Sequence, residues 1–308
     1  MSDSLSHGLP DPDLNKVRAP RRTVSVLALA IALSGGFATA LSSATAQEAT
    51  TAPALSAPAT SAPAASEPAD YAPESGQPGK DVVWVPTPQV VVDQMLAMAE
   101  VTAQDRVLDL GSGDGRLVIT AAQRGATAHG IEYNPDLVKL SRRNAEAAGV
   151  TERATFEEAD LFAKQIPKAE VVTLFLLPSL NEKLRPQLLD FEPGTRVVSN
   201  TFLMGDWEPD ESAKIGENCT QWCTAHLWIV PAKVGGTWQL GEEQLQLDQK
   251  HQVLTGKLGS AEIENGKVKG TQVTFTVDGV TYTGELADGE ITGTATGGDA
   301  ATWTAKRG

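Results

Sequence analysis

The chain is predicted to be an α/β protein: a doubly wound, mostly parallel sheet, followed by a small all-β, antiparallel, barrel-like domain. Three observations predict it. From Trp84 to about Ala232, apolar strand-like runs alternate with helix-period segments, the pattern of a parallel sheet covered on both faces. The first strong run, Val107-Leu108-Asp109-Leu110, ends in a glycine-rich turn, Gly111-Ser112-Gly113-Asp114-Gly115. Beyond Ala232 the helical period disappears, and short alternating strands are separated by Gly-containing turns.

The amino-terminal region reads as processing signal and spacer. Arg21-Arg22 precede an apolar run, Val24 to Leu33, and small residues lead to Ala44-Thr45-Ala46. This is a basic region, an h-region and an A-x-A site, so residues 1–46 read as a secretory signal peptide cut after Ala46. The run is short of the roughly twenty apolar residues of a membrane span. An uncleaved membrane tether through residues 24–41 stays open, as does a twin-arginine signal. Residues 47–80 are dominated by Ala, Pro, Ser, Thr and Glu, cannot bury enough to fold, and read as a disordered, semi-extended linker.

Residues 81–232 hold the α/β domain. Val82-Val83-Trp84-Val85-Pro86-Thr87-Pro88 leads into a helix, Gln89 to Glu100, begun at Thr87 or Pro88. After the glycine turn, Arg116-Leu117-Val118-Ile119 opens a second helix that stops at Gly125. Ala128 to Glu132 is the next strand, and Asp136 to Ala148 a third helix. Further strands are Ala154 to Glu158, Val171 to Leu177 and Thr195 to Phe202. A helix, Ser179 to Leu189, is bent or shortened by Pro186, and Lys214 to Val230 is a closing hairpin.

The turn after Leu110 is G-x-G-x-G, whereas the dinucleotide fingerprint needs G-x-G-x-x-G, and Arg116 stands where its third glycine belongs. Glu132 lies about twenty residues beyond, where open α/β folds place a carboxylate on ribose hydroxyls. Asp109, Glu132 and Asp160 each close a successive strand of one βαβαβ unit. Taken singly, the turn could be an ordinary strand–helix connection, and the acids a helix-start and solvated strand ends. Together they point to a nucleoside-bearing ligand.

These motifs resemble motif I and its partners in the S-adenosylmethionine (SAM) methyltransferases, whose fold is a Rossmann-like, seven-stranded sheet. The runs Val85-Pro86-Thr87-Pro88, Leu174-Phe175-Leu176-Leu177-Pro178-Ser179-Leu180-Asn181 and Met204-Gly205-Asp206-Trp207 narrow the likeness. They are similar to a branch of bacterial proteins related to the mitochondrial lysine methyltransferases of the ATP-synthase c-subunit and the adenine nucleotide translocase. The likeness covers Trp84 to about Ala232. It implies SAM as cofactor, with Asp109, Gly111, Gly113 and Glu132 as contacts, and Asp160 accepting from the adenine amino group beside Leu161 and Phe162. Trp84 and Thr87 either pack the following helix or cover the methionine end of the cofactor. Pro178 and Asn181 would line the methyl-transfer face, with Phe175 where relatives commonly carry tyrosine. The implied activity is methyl transfer to a protein lysine, which rests mainly on alignment of the reactants.

Residues 233–308 form the β domain, with Asn265-Gly266, Asp278-Gly279 and Asp288-Gly289 as hairpin turns. A net charge of −14 argues against a nucleic-acid partner. The four histidines, His7, His129, His226 and His251, are scattered, so no metal site is expected. Cys219 and Cys223 would pair if the protein is exported and stay thiols if it is cytosolic. Export, to the periplasm or as a membrane-anchored protein, conflicts with the cytoplasmic supply of SAM. The alternative is an exported envelope binding protein that keeps the scaffold without turnover. Nothing in the sequence sets the oligomeric state.

Overall fold

The computed structural model describes residues 71–80, 83–163, 165–297 and 301–308. The signal peptide, the tether and most of the linker lie outside the described residues. The expected linker boundary at residue 80 is moved: residues 71–80 are folded against the α/β domain. Gly76 N–H donates to Trp84 O and Trp84 N–H to Gln77 O, and Arg143 donates to Tyr71 O. No helix among the described residues is long and apolar enough to cross a membrane.

Seven strands form the first sheet: β1 Arg106–Leu110, β2 Thr127–Glu132, β3 Ala154–Glu158, β4 Val171–Leu174, β5 Arg196–Asn200, β6 Glu211–Lys214 and β7 Thr224–Ile229. Their spatial order is β3-β2-β1-β4-β5-β7-β6. The first five are parallel, and β7 and β6 are added antiparallel. The strands are apolar on both sides because both sides are covered. Val107, Val171 and Val198 face a core with α1 Gln89–Met98, α2 Arg116–Gln123 and α3 Pro135–Ala147. Their neighbours Leu108, Val172 and Val197 face a second core with α4 Pro178–Leu188 and Trp207.

Local chemistry sets the helix starts. Asn134 caps α3 by accepting from Asp136 N–H at 2.9 Å, and Pro135 occupies the first turn. Pro186 does not stop α4; it costs one intrahelical hydrogen bond near the end, and the helix runs on to Leu188. The strand expected through Leu177 closes at Leu174. Phe175 to Leu177 leave the sheet to line a cleft.

The second domain is a closed antiparallel barrel. Its strands are β8 Gly236–Leu240, β9 Glu243–Lys250, β10 Val253–Leu258, β11 Ala261–Glu262, β12 Glu264–Lys269, β13 Gln272–Val277, β14 Val280–Ala287, β15 Glu290–Thr296 and β16 Ala301–Arg307. The pairings β16–β8, β8–β9 and β9–β10 close the ring, and β11 is a short hairpin partner of β10. Trp238, Phe275 and Trp303 fill the interior, and the rings of Phe275 and Tyr282 stack at 4.9 Å. Trp303 needs Gly284, where a Cβ would stand 2.6 Å from its ring. Asp278-Gly279 and Asp288-Gly289 are hairpin turns, as expected. Asn265-Gly266 is not. It lies inside β12 at a register shift, with Asn265 at φ 52°, and Gly266 passes against Leu254 O. A bulge there bends the strand around the barrel.

The barrel attaches away from the carboxyl ends of the parallel strands. Ala232 N–H donates to Gly270 O and Gly194 N–H to Val230 O, beside the amino end of β5. Lys233 pairs with Asp190 at 2.6 Å and Lys267 with Asp210 at 2.7 Å. Asp206 gathers Arg185, Lys250 and His251 at 2.6, 2.8 and 3.3 Å.

Candidate cofactor and acceptor cleft

A cleft of about 450 Å³ opens at the carboxyl edge of the parallel strands, within the roughly 300–1,000 Å³ of small-molecule sites. Its base is the glycine turn. Gly111, Gly113 and Gly115 all have positive φ, at 81°, 54° and 82°. At Gly113 a Cβ would lie 2.7 Å from Trp84 Nε1, so only glycine lets the indole rest on the loop. At Gly115 it would strike Phe156 and Ser141 at 2.8 Å, which closes α2 and α3 onto the sheet.

Asp109, the penultimate residue of β1, is 5 % exposed and accepts from Thr173 Oγ1 at 2.7 Å. Burial pushes its carboxyl up to about 7; the Thr173 hydrogen bond works the other way, and Glu132 and Asp114 add like-charge repulsion. Glu132 joins two turns. Oε2 accepts from Gly113 N–H and Oε1 from Asn134 N–H, both at 2.9 Å. Each oxygen keeps a lone pair for a further donor. Asp160 Oδ1 accepts from Phe162 N–H at 2.9 Å, and Oδ2 pairs with Lys80 at 2.5 Å. The Lys80 hydrogen bond, then the Phe162 amide, hold this carboxyl below its ordinary range.

Other side chains fix the walls. Arg116 grips the Asp114 carboxylate through two nitrogens and donates to Thr87 O at 2.8 Å, tying the turn to the segment before α1. Thr87 is buried, with Asn200 Nδ2 at 3.4 Å from its hydroxyl. Lys183 sits 3.7 Å over the ring of Phe162.

Of the residues singled out in the sequence, the cleft brings together Trp84, Thr87, Asp109, Gly111, Gly113, Glu132, Asp160, Leu161, Phe162 and Phe175. It does not include Pro178 and Asn181. Pro178 is an exposed first residue of α4. Asn181 is fully buried, and its amide donates to Phe202 O and Leu203 O at 3.3 and 3.2 Å. It holds the turn after β5, and its Oδ1 is buried without a protein partner. Sequence reasoning missed Lys80, Ser112, Tyr133, Phe202 and Trp222, which also line the cleft. Ser112 was visible inside the motif. Trp222 carried no signal beyond its place between two cysteines, which are disulfide-bonded.

The residues fit SAM. Ser112 contributes to the cleft wall, while its hydroxyl is buried towards Gly130. Glu132 retains acceptor capacity suited to ribose hydroxyls, and Asp160 has capacity beyond Lys80 and Phe162. A sulfonium-bearing ligand also suits a cleft floored by three carboxylates.

Comparisons with known proteins agree. A family model of the ANTKMT methyltransferase domain matches residues 109–211. Among solved structures, an RNA methyltransferase from Salinibacter ruber with S-adenosyl-L-homocysteine is 49 % identical, covering 49 % of this chain and 96 % of that one, with a TM-score of 0.46. The lysine N-methyltransferase of the ATP-synthase c-subunit from Mus musculus is 40 % identical over 111 residues; the match spans 36 % of this chain and 45 % of that enzyme, about half its length. A protein-lysine N-methyltransferase of Saccharolobus islandicus is 42 % identical over 152 residues, which are 48 % of this chain and 94 % of the relative. With nearly the whole of that relative matched, and with the acids, the glycine turn and the sheet order in place, the chain belongs to the seven-stranded SAM-dependent methyltransferases, on the branch related to the ATP-synthase c-subunit lysine methyltransferases.

Proposed function

We propose that this methyltransferase acts on lysine side chains of a protein, outside the cytoplasm. The observation that carries the acceptor class is the 42 % identity to a protein-lysine N-methyltransferase across 94 % of its length. Bound SAM supplies a sulfonium-activated methyl carbon; transfer forms one N–C bond, breaks one S–C bond, leaves the electron pair on sulfur and releases the amine's proton. The protein's part is alignment and dehydration. Glu132, Asp160 and the glycine turn would hold the nucleoside, with Trp84 against the loop. The apolar rim of Phe175, Leu176 and Phe202 excludes water, which favours the neutral, nucleophilic form of an amine.

The acidic chain suits a lysine-bearing partner rather than a polyanion. Export is supported by the Arg21-Arg22 and Val24 to Leu33 pattern and by the Cys219–Cys223 disulfide, a bond that persists in oxidising compartments. The test is transfer from labelled SAM to envelope proteins and to RNA, followed by mass spectrometry. Label on lysine is expected. Label confined to RNA, or to other side chains, would overturn the acceptor class. Recovery of the protein only from the cytoplasm would overturn the location.

A further inference from the structure

The cleft has two chemically different halves. The carboxylates lie at or just past the carboxyl ends of β1, β2 and β3. The other half is aromatic. Phe175 follows β4, Phe202 follows β5, and Trp222 precedes the antiparallel β7, so three neighbouring strands place three rings on the same sheet edge. The ring centroids form a near-equilateral triangle. Phe175 and Phe202 are 5.9 Å apart, Phe175 and Trp222 5.8 Å, and Phe202 and Trp222 5.6 Å. Trp222 is 38 % exposed, so the cluster is open on its outer side.

Trp222 is also held in an unusual way. Its φ is 59°, the left-handed region that a bulky side chain rarely enters. The neighbouring Cys223 is bonded to Cys219, closing a small loop that fixes this conformation. Asn218, just before the loop, is left-handed too, at φ 56°. Strained backbone of this kind persists where the surroundings enforce it, and it gathers at ligand clamps.

We infer that Phe175, Phe202 and Trp222 form an acceptor wall that recognises an alkylammonium group, with the Cys219–Cys223 loop as the element that positions Trp222. This rests on the lysine reading above and adds the residues that take the side chain. Three ring centroids this close put one cation set over the cluster within about 6 Å of each, the reach of a cation–π contact. The aliphatic stem of lysine gains apolar surface on the same rings. The net charge of −14 supports a cationic occupant. Aromatic rings also stack on nucleic-acid bases, and that partner is tested below.

The full chain, saturated with S-adenosylhomocysteine, is titrated with Ala-Ala-Lys-Ala-Ala carrying trimethyllysine. A second peptide has the quaternary nitrogen replaced by carbon, which keeps the shape and removes the charge. The charged peptide should bind about tenfold tighter than the neutral one. Trp222→Leu should cut that preference about tenfold, and Trp222→Phe should retain most of it. The paired change Cys219→Ser, Cys223→Ser should act like Trp222→Leu. All variants should melt cooperatively with the parent's far-UV circular dichroism, which shows that the fold is intact.

Equal binding of the two peptides, no binding of either, or an unchanged preference in Trp222→Leu would overturn the wall. Binding of oligoadenylate, lost in Trp222→Leu, would make it a base-stacking surface and overturn the proposal. Full preference in the paired serine variant would overturn the role of the loop. A wall that takes the cation, in an enzyme that labels no protein lysine, would sink the lysine reading alone.

Discussion

Replacing Glu132 with Ala tests the cofactor assignment most directly. The carboxylate accepts from Gly113 and Asn134 at 2.9 Å and would accept from ribose hydroxyls with its remaining lone pairs. Loss of charge-assisted hydrogen bonds to a ligand costs about 1.5–3 kcal/mol. That is a fall of roughly ten- to a hundredfold in affinity for S-adenosylhomocysteine. The loss of two protein acceptors adds about 1–3 kcal/mol of destabilisation to the free protein, at the start of α3. Calorimetry measures the first effect and thermal melting the second. At saturating ligand the gain in stability on binding should shrink by about 1.4–2.7 kcal/mol, because it follows RT ln(1 + [L]/Kd). Glu132→Gln keeps one acceptor oxygen and should lie between. A folded Glu132→Ala protein with parental affinity would refute the ribose assignment.

Three further outcomes are expected. Asp109 has its folded-state value raised, to about 7, so in the free protein its ionisation costs stability as pH rises from about 4 through 7. Asp109→Asn keeps an acceptor for Thr173 and should melt higher than the parent at pH 8 but not at pH 4; equal melting at both would contradict the burial argument. Asp206 has its value lowered, by Lys250 first and then His251. Its contribution is therefore complete above about pH 4 and fades as pH falls towards the depressed value, so the melting gap between Asp206→Asn and the parent should narrow from pH 4 downwards, and a constant gap would refute it. A chain ending at Lys233 should still bind S-adenosylhomocysteine, since no cleft residue belongs to the barrel and the barrel core is separate; cooperative melting with no ligand binding would show that the barrel completes the site.

The α/β domain was legible because its signals are local. A strand buried on both faces must be apolar throughout, as at Val171-Val172, and a left-handed turn must be glycine, as at Gly113 and Gly115. What was not legible depends on where separate elements meet. Asn181 follows a cleft-lining segment in sequence, yet helical rotation turns its side chain into the sheet, against Phe202 O and Leu203 O. Residues 71–80 have a linker's composition, and contacts distant in sequence, such as the Lys80–Asp160 pair and the Arg143–Tyr71 hydrogen bond, show them to be folded. Asn265-Gly266 has the chemistry of a hairpin turn and also that of a bulge. Barrel curvature decides between them, and no window of a few residues carries it.

The placement of the two domains separates two physical tasks. The cleft draws its walls from segments between residues 77 and 222, all at the carboxyl edge of the parallel strands or folded over it. The barrel joins the α/β domain outside that cleft, through Gly270 O and the ion pairs of Asp190, Asp206 and Asp210. Its charged links are mostly exposed pairs, each weak in water. They fix orientation more than they stabilise, while each domain is held by its own apolar core. The strained element of the cleft is different in kind. Trp222, in a left-handed conformation, sits beside the Cys219–Cys223 bond and packs on Phe175 and Phe202. On the proposed reading, the nucleoside half rests on strand ends and the acceptor half on the Cys219–Cys223 loop, whose bond persists in an oxidising compartment. The acceptor half is therefore the part of the site that reduction should loosen first.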